Sequence, residues 1–281
     1  MNAEEIAARA GDLPPFPMIA MKALRLSEKP DTSARELQAV IAQDQALTAR
    51  ILKIVNSAMF AFQREVSTLT HAVSILGLQT LRSILVAASV EQLHQGNGGR
   101  PAGLASQLFW QHSWGAAVLA RAIARCIDYH NPEEAFTAGL LHDIGKVVFL
   151  KNHEPRYLEI LNLVHRGDKT FRQAESERFG FTHAEVGALV AERWRFPNHL
   201  AEAILHHHDH AAAGKYCKLA AVVELANQSM IFLEIGFEKD PAMKLEQQPA
   251  ARFLRLADPL LSTMVRDHAE RLRAPQFGPR A

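Results

Sequence analysis

Apolar side chains recur every three or four residues along most of the 281-residue chain, the spacing that gives a helix one buried face. In the first half, Ser33 and Glu36 have the spacing of a capping box, and Asp44 can cap the next helix. An apolar stripe at helical spacing follows each cap. No stretch alternates apolar and polar residues as a half-buried strand does. The sequence therefore predicts an all-α protein.

Glycine and proline divide this helical pattern. Gly77 predicts a break in a long apolar segment, and the glycine-rich stretch 94–103 predicts the main internal boundary. We expect three parts, namely an N-terminal helical lobe, a helical bundle and a C-terminal loop with a helical extension, over residues 13–95, 104–235 and 236–281. Helices of the second and third parts are predicted at about 107–129, 133–150, 155–166, 170–178, 183–195, 198–208, 216–232 and 250–272, the last interrupted near Pro259.

Charge and cysteine content limit the function classes. The 31 basic and 30 acidic residues nearly cancel, so no electrostatic case exists for binding nucleic acid or an anionic membrane. Arg121 and Arg125 are interpreted as solvated helix faces. Cys126 and Cys217 form no CxxC pair, which favours a reducing compartment over a disulfide scaffold. With no signal-peptide pattern and no apolar run of about 18 residues, we expect a soluble cytoplasmic protein.

The histidines carry the chemical signal. The chain has 14 of them, and "GLLHDIGK" (139–146) places a histidine beside an aspartate in an apolar frame. Burying such a pair costs several kcal/mol unless something compensates the polar groups. A metal centre needs donors from several elements, since one helical turn rarely supplies more than two. His208 and His210 are interpreted as a solvated helix end. The candidate ligands are His112, His142, Asp143, His183, His206 and His207.

Several ordered motifs resemble those of the HD superfamily and, within it, the HDOD branch. The first half has "LPPFPMIAMKAL", "ELQAVIAQDQALTARILKIVNSAMF" and "VSTLTHAVSILGLQTLRSILVAASV". The second half has "AFTAGLLHDIGKVVF" and "ESERFGFTHAEVGALVAERWRFPNHLAEAILHHHD". The resemblance runs from about residue 13 to about residue 232. It implies an N-terminal helical lobe packed on a bundle similar to that of metal-dependent phosphohydrolases.

The resemblance also implies a site. In catalytic relatives, including the HD-GYP cyclic dinucleotide phosphodiesterases, the positions of His142, Asp143, His183, His206 and His207 bind one or two metal ions. A water on the metal attacks phosphorus there, and the position of Lys146 contacts phosphate. This chain departs from the catalytic pattern at two places. Asn227 stands where the last aspartate ligand is expected, and no GYP segment follows the paired histidines.

Two functions remain open. The favoured hypothesis is a regulatory, non-catalytic HDOD module that binds a signalling protein partner or a nucleotide-like ligand and retains a divalent metal. The alternative is a metal-dependent phosphohydrolase, acting on a phosphodiester or a phosphomonoester, with a modified centre. Glu224, three residues before Asn227 on the same helix face, is a candidate substitute for the lost aspartate. Nitrogen-rich ligation favours Fe, Mn, Ni or Zn in either case.

Overall fold

The structure is a computed structural model that describes residues 2–27, 29, 31–57, 59–60, 62, 65–94 and 100–272. These residues contain helices, turns and loops but no strand, which confirms the all-α prediction. Two 3₁₀ segments, His210–Tyr216 and Leu245–Gln247, supplement the α-helices. In chain order these are α1 (Ala3–Ala10), α2 (Met18–Ser27), α3 (Ala34–Ile41), α4 (Gln45–Val55), α5 (Leu69–His94), α6 (Arg100–Cys126), α7 (Pro132–Leu141), α8 (Ile144–Asn152), α9 (Glu154–His165), α10 (Phe171–Phe179), α11 (His183–Arg193), α12 (Asn198–Leu205), α13 (Cys217–Phe232), α14 (Pro249–Phe253) and α15 (Leu260–Leu272).

The described residues form two compact units. The smaller unit takes those of 15–93 and 271–281, and the larger takes those of 1–14 and 94–270. Residues 95–99, at the centre of the predicted boundary, lie outside the described residues, as do 273–281, so the predicted domain limits stay a prediction. Helix α1 belongs to the larger unit, where the Asn152 side chain donates a hydrogen bond to the Ala10 carbonyl at 2.9 Å.

The smaller unit is built from α2 to α5. The predicted capping box at Ser33 and Glu36 is present, and Asp44 accepts a hydrogen bond from the Leu47 amide at 2.9 Å, so both predicted caps are confirmed. Helices α4 and α5 are joined by the Arg50 guanidinium, whose Nε donates to the Ala88 carbonyl at 3.0 Å. These caps and cross-links satisfy backbone groups that a helix end or a crossing would otherwise leave unpaired.

Helix α5 contains the predicted break, since Gly77 has φ 76° and ψ 167°, outside the helical region. Among the described residues, α5 is the one helix long and apolar enough to cross a membrane by length and composition alone. Half of its most apolar window is buried within the protein, and buried core helices meet the same criterion. The sequence analysis counted uninterrupted apolar residues and therefore did not single out this helix.

In the larger unit, two glycines let helices approach closely. A Cβ atom at Gly139 of α7 would lie 2.9 Å from the Ala116 carbonyl oxygen of α6. A Cβ atom at Gly145 of α8 would lie 2.0 Å from the His183 carbonyl oxygen of α11, a distance no side chain tolerates. The backbones of α6 and α7, and those of α8 and α11, therefore lie in direct contact. These contacts bring together the helices that carry the candidate ligands.

Most predicted helices in this unit agree with the structure within a few residues, but two differ in ways that matter. The predicted helix 133–150 is two helices, α7 and α8, with His142 and Asp143 in the turn between them. The predicted helix 198–208 stops at Leu205, so His206 begins a turn. The break near Pro259 is confirmed, because α14 ends before it and α15 begins after it.

Arg121 is not on a solvated face, contrary to the sequence analysis. The side chain is buried, with a guanidinium nitrogen 3.5 Å from a Glu133 carboxylate oxygen and the guanidinium carbon 4.9 Å from the Phe136 ring centroid. Burial lowers the pKa of Arg121, while the Glu133 carboxylate opposes that shift. Arg121 therefore ties α6 to α7 and offers no charge to an outside ligand.

The close contact at Gly145 yields a stability prediction. We expect Gly145→Ala to lower the free energy of unfolding by about 3 kcal/mol, since the added methyl group must push α11 away from α8. In the control Gly103→Ala on α6, a Cβ atom meets nothing within 4 Å. That change should raise helix stability by up to about 1 kcal/mol. Urea unfolding followed by circular dichroism measures both, and equal midpoints for the two variants would contradict the close contact.

Candidate metal centre

Six ionisable side chains from separate elements are buried together in the larger unit. Each is at most 7% exposed. Charged side chains are seldom buried to this extent unless a partner compensates their charge. Five of the six candidate ligands named from the sequence are among them, and Lys146, the predicted phosphate contact, is the sixth side chain. These are His112 of α6, His142 and Asp143 of the α7–α8 turn, Lys146 of α8, His183 of α11 and His207 after α12.

Two of the imidazoles are fixed by the helices that end at them. The Nδ1–H of His142 donates to the Gly139 carbonyl at 2.7 Å, and the Nδ1–H of His207 donates to the Ile204 carbonyl at 2.6 Å. In both cases the acceptor is three residues earlier, one of the carbonyls that a helix end leaves unpaired. In the neutral form of each ring, a proton on Nδ1 leaves a lone pair on Nε2, and both Nε2 atoms face the centre of the cluster.

His183 is fixed by a buried carboxylate. Its Nδ1–H donates to Glu175 at 2.6 Å and its backbone amide donates to the same oxygen at 2.7 Å. The other Glu175 oxygen accepts the Tyr157 hydroxyl at 2.6 Å. Burial and the Glu175 charge raise the pKa of Tyr157 well above 10, so the hydroxyl stays a donor. This carboxylate–histidine pair is the arrangement by which proteins orient histidine ligands of metals.

His112 faces the same centre from α6. Its Nδ1–H donates to the Ile235 carbonyl at 2.9 Å, which leaves its Nε2 with a lone pair. That Nε2 lies 2.9 Å from Oδ1 of Asn227, the residue at the place of the expected last aspartate, and 3.5 Å from Oδ2 of Asp143. Two electron-rich atoms in contact need a proton or a cation between them, or a rotated amide that presents its NH₂ group.

Asp143 is the common neighbour of these imidazoles. Its Oδ2 lies 3.3 Å from Nε2 of His142, while its Oδ1 lies 3.3 Å from Nε2 of His183 and 3.8 Å from Nε2 of His207. Asp143 Oδ1 and His142 Nε2 are buried without a hydrogen-bond partner among the described residues. Buried polar atoms are rarely left in this state, so the cluster has the donors for a cation.

The charge states agree with ligand chemistry. Burial lowers the pKa of His112 to about 4 and lowers the pKa values of His207 and His208 well below 6.5. Burial alone would raise the pKa of Asp143, but the charges of His142 and Lys146 hold that pKa well below its usual value. Neutral His112, His207 and His208 beside an ionised Asp143 have the protonation states that a metal requires.

The predictions for His206 and His208 were both wrong: His206, a candidate ligand, is outside the cluster, and His208, predicted to be solvated, is in it. His206 lies outside the cluster, partly exposed, with its Nε2 3.5 Å from a Glu202 oxygen. His208, interpreted from the sequence as solvated, has its Nε2 3.0 Å from Nε2 of His183. The cause is the early end of α12 at Leu205, which turns the following residues out of helical register. His183, His207 and His208 form one group able to hold an ion, and His112, His142 and Asp143 form another.

Glu224 does not take the place of the missing aspartate. One of its carboxylate oxygens accepts hydrogen bonds from the His210 amide at 3.1 Å and from His210 Nδ1–H at 2.8 Å. His210 is therefore a buried structural partner and not part of a solvated helix end. Asn227 remains the side chain that faces His112.

Lys146 lies within the cluster but does not face open space. Its ammonium donates to Asp143 Oδ2 at 2.7 Å and lies 4.1 Å from the Phe171 ring centroid, a cation–π distance. The phosphate contact predicted for Lys146 would require its ammonium to leave both partners.

A cavity of about 1090 Å³ opens beside the cluster. His207, His208 and Asn227 lie on its wall. Its volume is in the range of small-molecule sites. Charged residues of both signs line the rest of the cavity, namely Arg166, Asp168, Lys169, Arg172, Glu177, Glu224, Glu238, Lys239 and Asp240.

This geometry agrees with the family comparison, in which the model of the HDOD domain matches residues 13–210. The chain belongs to the HDOD domain family. The solved structure of an HDOD domain protein of unknown function from Geobacter sulfurreducens is similar over 99% of this chain and 97% of that one, with 28% identity and a TM-score of 0.83. A provisionally named phosphohydrolase from Shewanella amazonensis SB2B is similar over 96% and 97%, with a TM-score of 0.72. At 24% identity, that likeness shows the fold alone.

One curated relative of the HDOD protein is an uncharacterized protein from Treponema pallidum (strain Nichols), 28% identical over 244 residues. The match covers 85% of this chain but 46% of that protein, so the chain spans about half the length of the curated relative it matches.

The sequence analysis missed three residues of this HDOD centre. Glu175 and Tyr157 hold His183 in place, yet each lies in a stretch of ordinary helical pattern that gives no local signal. His208 was visible as the third of three consecutive histidines. Which of the three face inward depends on the residue at which α12 ends, and periodicity locates helix ends poorly.

The low pKa of His112 predicts a pH dependence for the HDOD protein. An unfolded histidine takes up a proton near pH 6.5, whereas folded His112 does so at about 4. The unfolded chain binds more protons between these values, so the free energy of unfolding should fall as pH drops from about 6.5 to about 4. Urea unfolding in a chelator at several pH values measures this, and the His112→Gln variant should show a smaller fall. An equal fall in both proteins would contradict the prediction.

Proposed function

We propose that this protein is a regulatory HDOD module whose buried histidine–aspartate centre holds a divalent transition metal. The adjoining cavity then receives a nucleotide-type ligand or a segment of a signalling protein partner. One observation carries the metal part of the proposal. Three imidazoles, those of His142, His183 and His207, donate a hydrogen bond from Nδ1–H to an acceptor outside the cluster. The Nε2 atom of each ring lies near the carboxylate of Asp143.

The donor set supports a transition metal over Mg²⁺ or Ca²⁺. Imidazole nitrogens outnumber carboxylate oxygens in the centre, and such sites suit Fe, Ni or Zn, with Mn as the most oxygen-seeking candidate. The unpaired Oδ1 of Asp143 and Nε2 of His142 supply the atoms that such an ion would satisfy. When bound, the metal supplies positive charge that offsets the buried carboxylate and makes a bound water more acidic.

Two features favour regulation over hydrolysis. Asn227 offers a neutral oxygen where the catalytic relatives have an aspartate, so the centre has one negative charge fewer to hold the metal ions that hydrolysis needs. Lys146, the candidate phosphate contact, is held by Asp143 and by the Phe171 ring. The residue expected to hold metal is thus neutral, and the residue expected to contact phosphate is engaged with other side chains.

A phosphohydrolase is the second candidate, and the cavity favours it. His207, His208 and Asn227 lie on the cavity wall, so a phosphate ester entering there would reach the metal donors. Basic side chains such as Arg166 and Lys239 line the same cavity and could attract phosphate.

Metal analysis and a turnover assay separate the two functions. We expect protein purified without added metal to contain a transition metal by mass spectrometry. It should hydrolyse bis(p-nitrophenyl) phosphate and p-nitrophenyl phosphate no faster than Asp143→Ala, with or without added Mn²⁺. His130→Ala, at an exposed side chain, is the matched control and should keep the metal. Turnover by the wild type that disappears in Asp143→Ala but persists in His130→Ala would establish the hydrolase.

The role of Glu175 gives a second prediction. Glu175→Gln replaces the carboxylate that orients His183 and should weaken Zn²⁺ binding by about 10–100-fold. Tyr157→Phe is the matched control, because it removes one donor to Glu175 but leaves both hydrogen bonds that His183 donates to Glu175. Competition with a chromophoric chelator measures both affinities. Unchanged affinity in Glu175→Gln would show that this carboxylate does not act on the metal.

A further inference from the structure

The two carboxylate oxygens of Asp143 have different surroundings. Oδ2 accepts a hydrogen bond from the Lys146 ammonium at 2.7 Å. Oδ1 has no hydrogen-bond partner among the described residues and lies 3.3 Å from Nε2 of His183 and 3.8 Å from Nε2 of His207. One oxygen is therefore already neutralised by a cation of the protein, and the other is not.

The half of the centre around Oδ1 has the spacing of ligands that share one ion. The Nε2 atom of His183 lies 3.0 Å from that of His208 and 3.4 Å from that of His207. Bonds of about 2.0–2.1 Å to a tetrahedral zinc place neighbouring ligand atoms about 3.3–3.4 Å apart. Three nitrogens, with the anionic Oδ1 of Asp143 beside those of His183 and His207, supply the four donors that a tetrahedral site needs.

Electrostatic repulsion disfavours a second dication in the half around Oδ2. Lys146 is 3% exposed, and its ammonium is held between Asp143 and the Phe171 ring, so its charge stays in place. A metal bound by His112 and His142 would share Oδ2 with this ammonium and repel it. Asn227, 2.9 Å from Nε2 of His112, adds an oxygen but no negative charge to offset that repulsion.

Access also favours the first half. His207 and His208 are on the wall of the cavity, whereas His112 and His142 are not among the residues that line it. An ion arriving from solvent through the cavity reaches the His207 and His208 nitrogens first, and the Nε2 atom of His183 lies behind them at 3.4 and 3.0 Å.

We propose that the centre holds a single divalent ion, bound by His183, His207, His208 and Oδ1 of Asp143, and that the Lys146 ammonium occupies the place of a second ion at Oδ2. The proposal rests on the proposed function, because it requires that a transition metal binds. It adds the number of ions, the half that holds the ion and the role of Lys146 as a fixed internal cation.

One other arrangement fits the same distances. His208 with its proton on Nε2 can donate directly to Nε2 of His183 across 3.0 Å, and no ion is then needed between them. In that arrangement His208 is a hydrogen-bond partner of His183 and makes no contribution to metal binding.

Cobalt titration of chelator-treated full-length protein tests the proposal. Absorption in the visible region should saturate at one Co²⁺ per chain, with the intensity of a four-coordinate ion. His208→Ala should lose this band, whereas His112→Ala should still bind one ion. His206→Ala is the matched control next to His208, since His206 lies outside the cluster, and it should behave as the wild type.

The substitution pair Lys146→Met and Asn227→Asp tests the internal cation. Removal of the ammonium and restoration of the carboxylate should raise the stoichiometry to two, and Mn²⁺ in the double variant should give the paramagnetic resonance spectrum of a coupled pair. Circular dichroism shows whether this variant folds, and His208→Ala against His112→Ala decides the proposal if it does not.

The outcomes separate the proposals. Two Co²⁺ ions in the wild type, or loss of the ion in His112→Ala with retention in His208→Ala, overturn the single-ion inference and leave the proposed metal centre intact. No Co²⁺ in the wild type at any concentration overturns both and favours the direct bond between His208 and His183.

Discussion

The ionised carboxylate of Asp143 is the group on which the larger unit depends. It is 2% exposed and lies among four imidazoles and one ammonium that come from three helices and two turns. A buried charge of this kind is tolerated only where other groups compensate it, and removing one partner costs far more than the pair contributes. The elements that carry these partners must therefore stay close to this one residue.

The imidazoles meet this requirement through hydrogen bonds that point away from the centre. Helix α7 ends next to His142 and α12 ends just before the paired histidines, so carbonyls that would lack partners there accept the Nδ1–H groups. Glu175, on α10, accepts the Nδ1–H of His183 in the same way. The ends of the helices thus set the tautomers of the histidines, and the tautomers set which nitrogen faces Asp143. Secondary structure and ligand chemistry are linked at the same few atoms.

The all-α class, the caps at Ser33 and Asp44 and most helix limits were predicted from the sequence, because these features depend on local spacing. The sequence also identified His112, His142, Asp143, His183 and His207, which the structure brings together. It failed where the answer depends on contacts between distant residues. The turn at His142 arises as α8 packs on α11, the inward direction of His208 follows from the end of α12, and the burial of Glu175 requires the complete bundle.

The contact at Gly145 has a consequence for how the centre responds to change elsewhere. Helices α8 and α11 meet there through main-chain atoms, with no intervening side chain that could repack to absorb a displacement. The separation between the aspartate that precedes α8 and the histidine that opens α11 is therefore set by covalent geometry and van der Waals radii. Such a rigid joint transmits movement, so a shift of α11 caused by an occupant of the neighbouring cavity would reach Asp143 almost undiminished.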